Sequence, residues 1–246
     1  MSTAMTVQEA LPAPELLTTF SMPGLEVFQV TTDPDWQTHV FYNHRQAYDP
    51  SSRYVLLHRS RGEESRLLLC DLEDDFQLTT INPEPGFDGA CFSLDGSAIW
   101  YSTRAEDVFR IRRYELPAGR IETVFEEPLA RREFDGRRMS TGRWLSFSHD
   151  GRRLLTTNSL AGADKYNSMC VLTFDMQTGT LHTAFETGPT NWNAKNQYAP
   201  RPGPKGEYLI CRVDCHSRTW FDADGRWHCE PIEEEPLGGS EYLLDE

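Results

Sequence analysis

A short turn motif recurs along the chain and constrains its fold more than any other feature. Its clearest copy is FSLDGSAIWY at residues 92–101, where Asp-Gly separates an apolar residue from a run of β-forming residues. The pattern predicts a hairpin, because Gly96 can adopt the positive φ that a tight return of the chain requires. Looser copies are YDPSSRYVLLH at 48–58, FSHDGRRLLTT at 147–157 and PGPKGEYLICR at 202–212.

The spacing of these copies predicts a repeat architecture. They begin at residues 48, 92, 147 and 202 and are therefore 44, 55 and 55 residues apart, close to the period of a four-stranded propeller blade. Each unit contains four short segments with strand character, and helical periodicity is nowhere sustained. The predicted fold class is all-β, a β-propeller of four-stranded blades with about four blades visible.

The chain divides into three parts by composition. Residues 1–24 are rich in proline and small residues and are predicted to be a flexible N-terminal arm. Residues 25–232 hold the blades, beginning with an alternating segment at 25–31 that predicts a half-buried strand. Residues 233–246 form an acidic tail or the start of a further blade. Four units alone would close only as the smallest ring, so we expect self-association or a missing C-terminal half.

Charge and cysteine usage narrow the function classes. The chain has 246 residues and a net charge of −14, which argues against nucleic acid or an anionic membrane as partner. Neither a signal peptide nor a membrane-spanning run is apparent, so a cytoplasmic location and free buried thiols are expected. A cluster near the C-terminus could instead hold a metal, but its spacing does not match a zinc site, so no metal is predicted: Cys211, Cys215, His216, His228 and Cys229.

The basic residues are mostly arginines, since only three of the 24 are lysines. A planar guanidinium suits an anionic ligand, although codon usage would also explain the bias. In a propeller, the links from outer to inner strands and from second to third strands share one face. A basic funnel there would concentrate an anion, whereas the alternative is a set of solvated loop charges. Candidate substrate-binding residues on this face are His39, His44, Arg59, Arg104, Lys195 and Arg218.

Several catalytic signatures are missing from the sequence. It contains no serine nucleophile elbow, no phosphate-binding glycine loop and no HExxH motif. Asp35, Asp95 and Asp150 could act as catalytic carboxylates. However, Asp95 and Asp150 lie in the repeated turns, where bonding to their own backbone explains them. The catalytic residues are therefore unknown from the sequence.

The blades also resemble a known family. The segments 30–33, 39–42, 67–72 and 76–79 resemble the opening blade of the oligogalacturonate lyases, which are seven-bladed propellers related to the TolB type. Residues 89–101 are similar to the next blade, and Trp192 with 198–202 is similar to the approach to the fourth. The most specific match is Ser217-Arg218-Thr219-Trp220, which resembles the family segment whose arginine binds the uronate carboxylate near the cleaved bond.

This resemblance implies an incomplete seven-bladed ring and β-elimination on short polyuronates, as in pectin degradation. It implies an anionic oligosaccharide or sugar acid as partner, Arg218 as its carboxylate ligand, and a divalent metal such as manganese, whose ligands lie in later blades of the family. Two departures oppose catalysis: Gln197 stands where the family has a histidine, and 238–242 stand where its catalytic base is expected. The alternative is a non-catalytic TolB-like propeller that binds a protein or a sugar acid.

Overall fold

The computed structural model describes the chain in twelve segments. For residues 6, 15, 88, 140–144, 157–160, 168–169 and everything from 185 onward, the description is of the backbone alone. The described segments are 6–7, 9–17, 21–41, 47–82, 87–130, 139–160, 168–186, 195–198, 208–213, 217–221, 227–231 and 240–245.

Three very short strands precede the first blade. They are β1 (Thr6–Val7), β2 (Leu11–Pro12) and β3 (Phe28–Gln29), and β2 pairs with β3. Strand β1 pairs instead with Leu78 and Thr79 of the first blade, to which it adds a fifth strand. The prediction of a flexible arm did not foresee this pairing, because two-residue strands leave no periodic signal in a sequence. Of the strand predicted at 25–31, only β3 forms.

The next twelve strands form three blades in chain order, each a set of four consecutive antiparallel strands. The described residues contain no α-helix, and they contain no helix of any kind that is long and apolar enough to cross a membrane. The prediction of an all-β propeller is therefore confirmed. The strands are β4 (Gln37–Val40), β5 (Tyr54–Arg61), β6 (Glu64–Asp71) and β7 (Gln77–Thr80) in blade one, β8 (Phe87–Phe92), β9 (Ala98–Ala105), β10 (Val108–Glu115) and β11 (Arg120–Pro128) in blade two, and β12 (Met139–Phe147), β13 (Arg153–Leu160), β14 (Ser168–Asp175) and β15 (Thr180–Glu186) in blade three.

The fourth unit has the predicted strands but a different pairing. Strand β17 pairs with β16 and with β20, whereas β18 pairs only with β19 among the described strands. The sequence predicts β18 beside β17, and residues 240–245 occupy that position instead. Residues 233–246 are acidic overall, but they contain the apolar run Tyr242-Leu243-Leu244, which suits a paired strand. The five strands are β16 (Lys195–Tyr198), β17 (Tyr208–Val213), β18 (Ser217–Phe221), β19 (Trp227–Pro231) and β20 (Ser240–Asp245).

The repeated turns between first and second strands share one hydrogen-bond pattern. In the second turn, the Ser93 hydroxyl donates to Asp95 Oδ1 at 2.6 Å and accepts from the Ala98 backbone N–H at 3.0 Å. The third turn repeats this arrangement 55 residues later. In the first turn, the two side chains exchange places, so that Ser51 donates to Asp49 and Asp49 accepts from the backbone. Asp95 Oδ1 also accepts from the backbone N–H of Ser97 at 3.0 Å, which confirms the explanation given for Asp95.

Successive turns of this kind also contact each other. Gly96 has a φ of +72°, and a Cβ built on it would lie 2.9 Å from Cδ of Pro50 in the preceding turn. Gly151 has a φ of +70°, and its Cβ would lie 3.4 Å from Leu94, which stands where Pro50 does in the first turn. The glycines therefore serve both the positive φ and the close contact between blades.

The core consists of layers between successive sheets, because alternate residues of a strand point to opposite faces. The layer between blades one and two includes Leu56, Leu67, Phe92, Ile99 and Tyr101. The layer between blades two and three includes Cys91, Trp100, Phe109, Leu145, Cys170 and Leu172. A third, smaller cluster lies on the outer face of blade one, the face turned away from blade two, and comprises Val55, Leu57, Leu68, Cys70 and Leu78.

The described cysteines lie inside these layers and form no disulfide. Cys70, Cys91 and Cys170 are all buried and unpaired by disulfide, as the sequence predicts for them. Burial raises the pKa of the Cys70 thiol to about 11, so it behaves as an apolar core residue. The cysteines and histidines of the C-terminal cluster lie outside the residues whose side chains the structure describes.

Candidate functional site

Three of the six sequence candidates have described side chains, and these three lie near one end of the blades, which we call the upper end: the end at which β5 turns into β6 and β9 into β10. His39 lies in β4 opposite His58, Arg59 is near the end of β5, and Arg104 is near the end of β9. Lys195 is the first residue of β16, and Arg218 is the second residue of β18; both are described by their backbone only. His44 lies outside the described residues.

The three candidates with described side chains belong to different sheet faces. His39 pairs with His58, on the face of blade one that packs on blade two. Arg59 follows His58 directly and therefore points to the outer face of blade one. Arg104 pairs with Phe109, a residue of the layer between blades two and three. The structure therefore brings these residues to the same end of the blades without bringing them into one pocket.

On the outer face of blade one, three arginines surround the ring of Trp36. The guanidinium carbons of Arg59, Arg61 and Arg66 lie 5.5, 4.5 and 4.4 Å from the ring centroid, within the range of cation–π attraction. Two of them also pair with Glu64, Arg61 at 3.2 Å and Arg66 at 3.6 Å. A pocket of about 240 Å³ opens beside Trp36, Arg59 and Arg66.

Arg59 is largely neutralised by the N-terminal segment. Its guanidinium donates to both carboxylate oxygens of Glu9, at 2.8 and 3.2 Å, and lies 3.5 Å from Asp33. The Arg59 side chain is only 9% exposed. Burial alone would raise the pKa of Glu9, but the hydrogen bond from Arg59 and the backbone N–H of Thr32 outweigh it and lower that pKa. Arg59 thus anchors residues 9–33 to blade one.

His39 belongs to a hydrogen-bonded group between blades one and two. Its Nε2 lies 3.1 Å from Nδ1 of His58, and Nε2 of His58 lies 2.8 Å from the hydroxyl of Ser65. Phe41 and Phe87 flank the His58 ring, with centroids 6.2 and 5.6 Å away. His39 is exposed, whereas His58 and Ser65 are half-buried. This group places three polar side chains beside two phenylalanine rings, at the edge of the interface between blades one and two.

Sequence reasoning missed the residues that complete both groups. Glu9 lies in the segment interpreted as an arm, and Trp36 precedes the first recognisable unit. Ser65 carries no motif, and it approaches His58 only because β5 and β6 pair with His58 opposite Leu67. For Ser65 the missing signal was cross-strand register, which follows from the fold and not from a local motif.

The described residues do not supply a divalent metal site. No three His, Cys, Asp or Glu side chains converge among them. The histidines His39 and His58 direct ring nitrogens at each other, so these two nitrogens do not converge on a common point as metal ligands would.

Comparisons with known proteins agree with the fold. No protein-family model matches the chain, and no curated protein shows significant sequence similarity to it. Among solved structures, it is similar to an oligogalacturonate lyase from Vibrio parahaemolyticus, with 14% identity and a TM-score of 0.62 over 95% of this chain and 62% of that chain. It is similar to an oligogalacturonate lyase in complex with manganese, with 14% identity and a TM-score of 0.59 over 92% and 66%.

A TolB from Acinetobacter baumannii is also similar, with 18% identity and a TM-score of 0.47 over 75% of this chain and 42% of that chain. The chain spans 62% and 66% of the two lyase chains that it matches. At 14% identity a structural likeness shows a shared fold and leaves activity open. What these comparisons establish is that the chain has the β-propeller fold seen in oligogalacturonate lyases.

Proposed function

We propose that the chain binds short polyuronates and belongs to a propeller that cleaves them by β-elimination, with Arg218 as the ligand of the uronate carboxylate. The observation that carries this proposal is the segment Ser217-Arg218-Thr219-Trp220, which resembles the uronate-binding segment of the oligogalacturonate lyases. The likeness of 95% of the chain to such a lyase supports it at the level of the fold.

The chemistry explains why an arginine is needed. β-Elimination removes the proton next to the uronate carboxylate, forms a carbon–carbon double bond and expels the glycosidic oxygen. A guanidinium paired with that carboxylate stabilises the negative charge that develops when a base takes the proton. Arginine is suited to this role because its two parallel N–H groups match both carboxylate oxygens. The base is not assigned to any described residue.

Binding of trigalacturonate, measured by calorimetry, tests the carboxylate assignment. Loss of a charge-assisted hydrogen bond costs about 1.5–3 kcal/mol, so Arg218→Ala should weaken binding roughly tenfold to about 150-fold. Arg152→Ala is the matched control, because Arg152 is exposed in the turn at the opposite end of blade three and bonds to Gln177. Equal affinities of wild type and Arg218→Ala would refute the assignment.

A second function is a propeller that binds a sugar acid or a protein without turnover. Gln197 favours it, because an amide stands where the family has a histidine; its backbone lies in β16 opposite Ile210. Ultraviolet absorbance of the unsaturated product distinguishes the two functions. Absorbance that grows with time and is lost in Arg218→Ala supports the lyase, whereas tight binding without product supports the binding propeller.

A further inference from the structure

Three side chains from adjacent strands of blade one form a continuous hydrogen-bonded line. Ser65 on β6 lies 2.8 Å from Nε2 of His58 on β5, and Nδ1 of His58 lies 3.1 Å from Nε2 of His39 on β4. Both distances are within normal hydrogen-bond range. A hydroxyl bonded to a histidine whose other nitrogen is held by a third group is the arrangement of an activated nucleophile.

The register of the sheet makes this line possible. His39 is directly opposite His58, and His58 is opposite Leu67. Paired residues share a face of the sheet, and Ser65 shares that face with Leu67 because side chains alternate with a period of two. The three groups therefore stand on one face, and a slip of one residue in either pairing would separate them.

Two assignments of protons satisfy the line, because the donor and acceptor roles of both rings depend on the tautomer. In the first, Nε2 of His39 donates to Nδ1 of His58, and Nε2 of His58 donates to Ser65. In the second, Nδ1 of His58 donates to Nε2 of His39, and Nε2 of His58 accepts from the Ser65 hydroxyl. The second is the state that a general base requires, and in it His39 holds the tautomer and the orientation of the His58 ring, as a third residue does in a catalytic triad.

The surroundings hold these groups in place. The ring of Phe87 lies 5.6 Å from His58 and that of Phe41 is stacked on it at 6.2 Å, which restricts rotation of the imidazole. Asn82 donates to the Ser65 carbonyl at 3.3 Å and accepts from the backbone N–H of Leu67. This amide fixes the stretch of β6 that carries the serine.

We propose that Ser65, His58 and His39 form an esterase-type site, with Ser65 as nucleophile, His58 as general base and His39 as positioning residue. Ser65 Oγ attacks the carbonyl carbon of an ester while its proton passes to Nε2 of His58. The carbon–oxygen bond to the leaving alcohol then breaks, and His58 returns the proton to that alcohol. Water subsequently hydrolyses the acyl-serine by the same route, so acid and alcohol are the only products.

The class of substrate follows from the lining. Phe41 is buried and Phe87 is 6% exposed, so the floor beside His58 is apolar, while His39 borders solvent. This combination suits a small uncharged acyl group on an ester that approaches from the exposed side. The site does not use Arg218, the residue on which the lyase proposal rests.

The first experiment uses a fluorophosphonate probe with the full chain. Covalent labelling should add one phosphonyl group, and mass spectrometry should locate it at Ser65. Ser65→Ala should abolish labelling, and His58→Gln should slow it at least a hundredfold, a typical contribution of a general base. Ser60→Ala is the matched control, because Ser60 is the cross-strand partner of Ser65 and should label at the wild-type rate.

Steady-state hydrolysis of p-nitrophenyl acetate tests His39. His39→Ala should lower kcat with little change in KM, and His39→Gln should restore much of the rate, since an amide oxygen can accept the proton of Nδ1. Thermal unfolding of each variant shows whether it is folded. Absence of labelling in the folded wild type, or labelling that maps to a residue other than Ser65, would overturn the proposal.

Discussion

Replacing Gly96 with alanine tests the packing of successive turns. Gly96 has a φ of +72°, and an added Cβ would meet Cδ of Pro50 at 2.9 Å. Real Cβ atoms do not approach other heavy atoms so closely, and the proline ring cannot rotate out of the way as a flexible side chain could. The substitution therefore forces the first and second turns apart, at the junction of blades one and two.

The expected cost has two parts. Placing a residue with a Cβ at positive φ costs about 1–2 kcal/mol, and overpacking at a close contact adds about 1–3 kcal/mol. Gly96→Ala should therefore reduce the free energy of unfolding by about 2–5 kcal/mol. Gly179→Ala is the control for the first part, because Gly179 has a φ of +68° with nothing within 4 Å of its Cβ position; it should cost about 1–2 kcal/mol.

Equilibrium unfolding in urea measures both variants. The double variant Gly96→Ala with Pro50→Ala should recover at least about 1 kcal/mol relative to the sum of the two single changes, because the clash is then absent. If Gly96→Ala and Gly179→Ala cost the same, or if Pro50→Ala recovers nothing, the turns do not support each other and this reasoning is wrong.

Three further substitutions and one thiol-labelling experiment test individual contacts. Ser52 has a φ of 62°, so Ser52→Gly should raise the free energy of unfolding by up to about 1 kcal/mol in urea titration. Glu9→Gln should lower it by about 1.5–3 kcal/mol, because the buried Arg59 loses a charged partner. Hydrogen bonds from serine and backbone donors hold the pKa of Asp95 at about 2, below its ordinary value. The contribution of this carboxylate to the free energy of unfolding is therefore complete above about pH 4 and is lost on acidification. Asp95→Asn should make the free energy of unfolding less dependent on pH below about pH 4. The buried thiol of Cys70 should react with Ellman's reagent at pH 8 only after unfolding.

The turns could be predicted from the sequence because their chemistry is local. Asp95 accepts hydrogen bonds and Gly96 provides the positive φ within the same turn, so the motif predicts the hairpin directly. The same logic explains the third-to-fourth-strand turns, in which Gly119 donates to Glu115 and Gly179 to Asp175. From these turns followed the strands, their order in three blades, and the fold class.

The candidate site was less accessible to sequence reasoning, since it depends on register and on distant segments. Arg59 lies at the expected end of its blade, but its guanidinium is paired with Glu9, 50 residues earlier in the chain. The sequence predicts His39 as a ligand for an anion, yet its neighbour at 3.1 Å is another histidine. The contact between His39 and His58 follows from the pairing of β4 with β5, and the contact between Arg59 and Glu9 follows from the packing of residues 9–33 on blade one.

The positions of the candidate ligands bear on what could bind at the upper end. His39 and Arg104 lie on opposite sides of blade two, one at its boundary with blade one and the other at its boundary with blade three. Two such groups cannot both bind one carboxylate, whereas a ligand that carries a carboxylate on every sugar can contact both by extending across the end of blade two. The affinity should therefore increase with chain length from mono- to trigalacturonate, and His39→Ala and Arg104→Ala should each reduce this increase. Calorimetry with a length series measures it, and equal affinity for monomer and trimer would show that the upper end does not bind the ligand across blades.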